Sequence, residues 1–197
     1  MANRPTSKLE IKAWEFAQDK HKGQVRKFVN KSYFDAHVQK VNGIVKFYTT
    51  SVVILCSALL HDVIEDCYDD KWVGYNEIKE IFGKEIADIV LELTSNSDEI
   101  KYKWNGDKAA YLINKMLNMS DAALTIKLGD RLQNISDAFT ASEKFRNNYF
   151  AETTKILNSL ESSGRNFNDS HRRLMADIKA KLKNVKSIFK IERFNSF

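Results

Sequence analysis

The run Leu59-Leu60-His61-Asp62-Val63-Ile64-Glu65-Asp66 sets four ionisable side chains into an otherwise apolar stretch. Burying such groups unpaired is costly, so they must face one another, a ligand or a metal. Read as a helix, the run stacks His61 under Glu65 and Asp62 under Asp66, each pair one turn apart. His61 and Asp62 then offer a nitrogen and an oxygen to one divalent ion. Glu65 and Asp66 stand where a base for an attacking water is useful. A His-Asp pair by itself is more often a local hydrogen bond than a metal site. The apolar setting and the second acidic pair shift that balance toward chemistry.

A second stretch, Thr125 to Asn134, places Asp130 in an amphipathic helix whose apolar positions include Leu124, Leu128, Leu132 and Ile135. Asn134 lies one turn on, on the face of Asp130. Taken alone, Asp130 and Arg131 read as an exposed ion pair, because charged helix residues are usually solvated. A third stretch, His21-Lys22-Gly23-Gln24-Val25-Arg26-Lys27, is followed by Phe34-Asp35-Ala36-His37. A glycine and three cations on a loop could hold phosphates, and His37 could be a further ligand. The plainer reading of that loop is a solvated basic surface with a capping histidine.

Helical periodicity positions these stretches. Helices are expected over Leu9–Lys20, with Thr6 or Ser7 as N-cap, and over His37–Tyr48. Val52–Asp66 is apolar nearly all round and reads as one buried central helix, with Thr49 to Ser51 before it as a cap. Tyr75–Phe82 and Lys84–Leu93 flank Gly83. Lys108–Met119, Asp121–Phe139 (with Ser120 as N-cap) and Glu143–Leu160 follow. His21–Ser32 and Ser95–Gly106 read as loops, and Ser162–Asn168 as a linker. The tail carries Leu174, Ile178, Leu182, Val185 and Phe189 on one stripe, with lysines elsewhere. The expected fold class is all-α, a single-domain helical bundle. Residues 1–165 would form the domain and 166–197 a basic amphipathic helix docked on it.

The chain has 197 residues, one proline and seven glycines, too few turn-formers for an all-β fold. Its net charge is +5, but the segment from His171 holds eight basic and two acidic residues, so the body is near neutral. On one helix, Cys56 and Cys67 would lie about 16 Å apart, too far for a disulfide. Reduced thiols and a cytoplasmic location are expected. Met1 to Glu10 is polar, unlike a secretory signal. Val52 to Leu60, the longest apolar stretch, is far short of the roughly 20 residues that span a bilayer, so no membrane partner is expected.

In this order, the three stretches resemble the HD-domain phosphohydrolases. They look most like the RelA/SpoT-type (p)ppGpp hydrolases in their stand-alone, small alarmone hydrolase form. The similarity runs from about Ala13 to Asp137 and, more weakly, to about Tyr149. Ala58 to Asp66 is its most specific part, and Phe82-Gly83 and Leu93-Thr94 also fall where that family has them. The family's usual Tyr-x-x-His-Pro reads here Tyr33-Phe34-Asp35-Ala36-His37-Val38, with Phe34 in the aromatic slot and no proline. Gly129 stands for a usual alanine.

The resemblance implies a helical bundle around one manganese ion (Mn2+) and removal of the 3′-pyrophosphate from ppGpp or pppGpp. By position it implies His37, His61, Asp62 and Asp130 as metal ligands and Glu65 and Asp66 as the catalytic acidic pair. Arg26 and Lys27 would lie beside the nucleotide phosphates, and Asn134 and Tyr149 in the nucleotide pocket. His21 matches a further family position, and Arg131 is an additional candidate. Other substrates bearing phosphate on a ribose 2′ or 3′ oxygen stay open: ppApp-type alarmones, NADPH, or pyrophosphorylated tRNA, the last fitting an antitoxin. A non-enzymatic nucleotide- or protein-binding module is the contrasting class, although such a module has no need of the acidic pair. The basic tail reads first as a docked helix with solvated lysines, and second as a footprint for a polyanion such as tRNA. Oligomeric state is not legible.

Overall fold

The computed structural model describes residues 5–27 and 29–194, with side chains described as far as 184. Helices dominate, accompanied among the described residues by one two-stranded sheet. Ser7 opens α1 (Lys8–Lys20) by accepting the Glu10 N–H at 3.1 Å. The segment after it, expected to be loop throughout, folds into a small antiparallel hairpin. Strands β1 (Val25–Arg26) and β2 (Lys31–Ser32) pair Val25 with Ser32 and Arg26 with Lys31. Asn30 takes the positive φ of 49° that closes it. Two-residue, largely exposed strands carry no hydrophobic alternation, so periodicity could not announce them.

The helix expected from His37 begins as a π-turn over Phe34–Val38 and becomes α2 at Gln39–Val45. Phe34 packs edge-on against Trp14 with centroids 5.0 Å apart. The single central helix expected over Val52–Asp66 is two. Helix α3 (Val52–Leu60) is capped by Ser51, and α4 (Val63–Cys67) follows a break at His61-Asp62. The break has a local cause. His61 Nδ1 lies 2.8 Å from the Ala58 carbonyl, which can only accept, so the imidazole occupies an oxygen the helical ladder would use. Both cysteines are free, Cys56 on α3 and Cys67 on α4.

Helices α5 (Lys71–Phe82) and α6 (Lys84–Leu93) meet at Gly83, whose φ of 92° favours glycine. The expected exposed loop after α6 contains a second π-turn, Glu99–Lys103, before α7 (Lys108–Asn118). Ser120 caps α8 (Asp121–Asp137) through the Ala123 N–H, and a 3-10 turn, Ala138–Thr140, finishes the span expected as one helix. Helices α9 (Glu143–Ser162) and α10 (Asp169–Phe194) complete the order.

Two apolar cores share α3 and α6. Leu55, Ala58, Ile89 and Leu93 face one core, with α7 to α10. Cys56, Leu59, Leu60, Ile86 and Val90 face the other, with α1, α4 and α5. Sandwiching between two cores is why α3 is apolar all round. Gly129 marks a close contact of α8 with α2, because a Cβ there would sit 2.8 Å from Val45 Cγ2. In α10, Leu174, Met175, Ile178 and Leu182 are buried in the first core. Val185 and Phe189 of the expected stripe lie outside the residues with described side chains. No helix among the described residues is long and apolar enough to cross a membrane.

Candidate active site

The break between α3 and α4 turns His61 and Asp62 inward, opposite His37 from the first π-turn and Asp130 from the middle of α8. His61 Nε2 lies 2.9 Å from Asp62 Oδ2 and 3.3 Å from His37 Nε2. His37 Nε2 lies 3.2 Å from Asp62 Oδ2 and 3.4 Å from Asp130 Oδ1. His37 and His61 are each 2% exposed. Because Nδ1 of His61 donates to Ala58, Nε2 is the nitrogen that faces the centre and is left to bind an ion once its own proton is lost.

Three ligand atoms, from His37, His61 and Asp62, lie within 4.8 Å of one another and ask for a cation, while Asp130 reaches the group through His37. Metal–ligand bonds of about 2.1 Å set neighbouring donors about 3.0 Å apart at right angles and about 3.4 Å apart at the tetrahedral angle. The distances here span that interval. Two nitrogens and one carboxylate oxygen, with a second carboxylate at Asp130 beside His37, suit a borderline-hard divalent ion. Protonation tells the same story. Burial opposes charge on His61, yet Asp62 and then Asp130 overcome it and raise its pKa to about 9. Burial instead lowers His37. Burial also opposes charge on Asp62, but the two imidazoles hold it well below the usual carboxylate range. Asp130 is drawn to about 2, against burial, by Lys127 and then the two histidines.

The surroundings fix these groups. Lys127 Nζ lies 3.1 Å from Asp130 Oδ2, and Asn134 Nδ2 donates to Asp130 Oδ1 at 2.6 Å. Arg26 contacts Asn134 and pairs with Asp137 Oδ2 at 3.0 Å. The Tyr33 hydroxyl donates to Asp62 Oδ2 at 2.7 Å. A cavity of about 630 Å³ opens beside the cluster, its wall including Arg26, Lys27, Tyr33, Asp66, Asn134 and Tyr149. Tyr149 is stacked by Phe145, their planes 6° apart. Burial, then Asp62 and Glu65, raises the Asp66 carboxyl to about 6, the range of a working base.

Not every candidate meets here. Glu65 faces a neighbouring cleft, where its Oε2 accepts the Ser95 N–H at 2.7 Å. The helix break replaces the expected stacking of His61 under Glu65. One turn survives as the Asp66 N–H to the Asp62 carbonyl, 2.8 Å. His21 is 1% exposed, and its Nδ1 pairs with Gln24 Oε1 at 2.7 Å, while Gln24 Nε2 reaches the Asp66 carbonyl. Arg131 is not the exposed partner of Asp130. It is 4% exposed and ties α8 to α9 through Thr153 and Glu152. Sequence reasoning passed over Tyr33, Lys127, Asp137 and Lys108. Lys127 carried a signal in its three-residue spacing from Asp130. Lys108, which lines both cavities, carried none.

Residues 13–164 match the family described as HD domain, a range that covers most of the chain and includes His37, His61, Asp62 and Asp130. The chain belongs to the HD-domain family. It is 27% identical over 173 residues to the guanosine-3′,5′-bis(diphosphate) 3′-pyrophosphohydrolase MESH1 of Drosophila melanogaster, covering 84% of this chain and 92% of that protein. The MESH1 protein of Xenopus tropicalis is 28% identical, with 79% of this chain and 86% of that one covered. A bacterial relative with the same pyrophosphohydrolase description, from Spiroplasma citri, is 33% identical over 63% of this chain but only 16% of its own length. A solved structure, of a metazoan ortholog of SpoT described as hydrolysing ppGpp, superposes with a TM-score of 0.74. It covers 92% of this chain and 97% of its own at 24% identity, which establishes the shared HD-domain fold.

Proposed function

We propose that this HD domain is a manganese-dependent 3′-pyrophosphohydrolase of (p)ppGpp. The observation that carries the reading is the cluster of His37, His61 and Asp62, with Asp130 against His37, beside a cavity edged by cations and one raised carboxyl. The pyrophosphohydrolase description of relatives matched over nearly their whole length supports the substrate.

His37, His61, Asp62 and Asp130 would hold the ion. A bound divalent ion supplies Lewis acidity, lowering the pKa of water and polarising a phosphate oxygen. Asp66 takes the water's proton. The water oxygen forms its bond to the phosphorus attached to O3′, the P–O3′ bond breaks, and O3′ is reprotonated. Pyrophosphate and GDP or GTP leave. Glu65, pinned by the Ser95 N–H, positions the segment beside the reacting groups. Arg26 and Lys27 neutralise phosphate charge, with Arg26 oriented by Asp137 and Asn134. Tyr149, backed by Phe145, offers an aromatic wall to the nucleoside. His21 buttresses the Gln24 turn, and Arg131 holds α9, which carries Tyr149, against α8. We place the activity in the cytoplasm, where free Cys56 and Cys67 stay reduced.

Among the described side chains of α10, Arg172 and Lys179 pair with Asp169 and Glu161, which lends no support to a role in tRNA binding or as part of an antitoxin. The test is a manganese-dependent assay on ppGpp, pppGpp, ppApp, NADPH and 3′-pyrophosphorylated tRNA, with Asp66→Asn as control. Pyrophosphate release from the guanine compounds, lost in the control, is expected. Turnover confined to another compound would overturn the substrate. Silence on every compound, with manganese bound, would leave a binding module.

A further inference from the structure

Tyr33 sits just before the first π-turn, its N–H on the Gln24 carbonyl at 2.9 Å. Its hydroxyl donates to Asp62 Oδ2 at 2.7 Å. That is the same oxygen that lies 2.9 Å from His61 Nε2 and 3.2 Å from His37 Nε2, so the phenol grips the carboxylate by its inward-facing oxygen. The ring has little freedom to leave. His21 lies against it at 5.1 Å between centroids, His37 edge-on at 5.3 Å, and the Arg26 guanidinium over it at 5.4 Å. The π-turn is what permits this placement. Its wider i→i+5 closure, the Gln39 N–H on the Phe34 carbonyl, turns both Phe34 and His37 inward at 1% and 2% exposure. Tyr33 is left on the cavity wall with its hydroxyl over Asp62.

From these contacts we infer that Tyr33 is a positioning residue for Asp62, holding one carboxylate oxygen between the two imidazole nitrogens so that the cation site is formed before the cation arrives. An aspartate has two terminal oxygens and a soft side-chain torsion. Without the phenol, Asp62 is free to rotate and pair with His61 alone. Tyr33 also couples the site to the phosphate-facing cation, because Arg26 rests on its ring. The inference rests on the proposed metal role of the four ligands but is independent of the substrate.

The test is Tyr33→Phe in the full chain, stripped with chelator and titrated with manganese by calorimetry, alongside its thermal unfolding. The variant keeps the ring and hence its packing. Loss of an outer hydrogen-bond partner typically weakens metal affinity 10- to 100-fold. The expected result is a manganese Kd raised about 10-fold or more with the melting temperature of the stripped protein lowered by only a few degrees, as for one lost hydrogen bond, and turnover recovered at saturating manganese. A space-filling role would instead leave the Kd within about twofold of wild type, which overturns the inference. Tyr33→Leu, which removes ring and hydroxyl, is expected to weaken manganese at least as much and to lower the melting temperature further. Manganese binding by the Leu variant as tight as wild type would overturn the inference even if the Phe variant did not fold. Wild-type protein that binds manganese but hydrolyses no nucleotide would sink the functional reading and leave this one standing.

Discussion

The four proposed ligands and Asp66 carry the account at the scale of the residue, and two substitutions separate their roles. Asp66 lies outside the cluster of ligand atoms, so Asp66→Asn is expected to keep manganese affinity and lose turnover about 100-fold or more. His61→Ala removes a donor whose tautomer is fixed by Ala58, so it is expected to lose the metal, as calorimetry would show. Proton acceptance requires Asp66 ionised. With its pKa raised to about 6, kcat/KM is expected to fall as pH drops through and below that value; a bound dication, favouring the carboxylate, only moves the limb lower. A pH–rate profile lacking that limb would remove Asp66 as base. The His-Asp and Glu-Asp pairs were legible because ionisable groups in an apolar run demand an explanation. Tyr33 was not, because a tyrosine before an inward-facing histidine reads as packing until its hydroxyl is seen to meet a carboxylate from another helix.

Interruptions matter most at the scale of the element. The apolar run Val52–Leu60 was legible as a buried helix, whereas its break at His61 depends on a side chain bonding its own backbone three residues earlier. Both π-turns were hidden for the same kind of reason, since a widened turn keeps ordinary residue types. Gly129 is a testable consequence of helix packing. Gly129→Ala drives a Cβ toward Val45 and is expected to cost about 1–3 kcal/mol, measured by denaturant unfolding. Val45→Ala in the same chain is expected to recover part of that loss. Lys115 closes the end of α6 by donating to the Leu93 and Thr94 carbonyls beside the Ser95 N–H that holds Glu65. Burial and then Lys127 lower its pKa to about 8 from 10.5. A lowered pKa in the folded chain means that unfolding takes up a proton between those values. Lys115 therefore penalises folding at neutral pH, and the penalty is relieved as pH rises through that window. Unfolding across the window should show wild type gaining stability relative to Lys115→Met. A constant difference would contradict this.

The whole molecule is organised by α3 and α6, the shared wall of two cores, with the proposed ligands drawn from three separate parts of the chain. That architecture was legible in outline, because α3 is apolar on every side and an all-round apolar helix must be covered twice. Which helices cover it was not, since long-range pairing leaves no periodic mark. Helix α10 belongs to the structure rather than to a detachable tail. Leu174 is fully buried against the first core, and His171 binds the Asp121 carbonyl and Thr125 of α8. Leu174→Ala is expected to lower stability by about 2–5 kcal/mol while leaving kcat of the folded protein unchanged. A neutral effect on unfolding would show α10 to be only loosely held.

The most direct test of the central claim is pyrophosphate release from ppGpp by chelator-stripped protein, with and without added manganese. The account expects turnover only when manganese is restored, abolished both by His61→Ala, which no longer binds the ion, and by Asp66→Asn, which does. Turnover without a divalent ion, or undiminished in either variant, would contradict it.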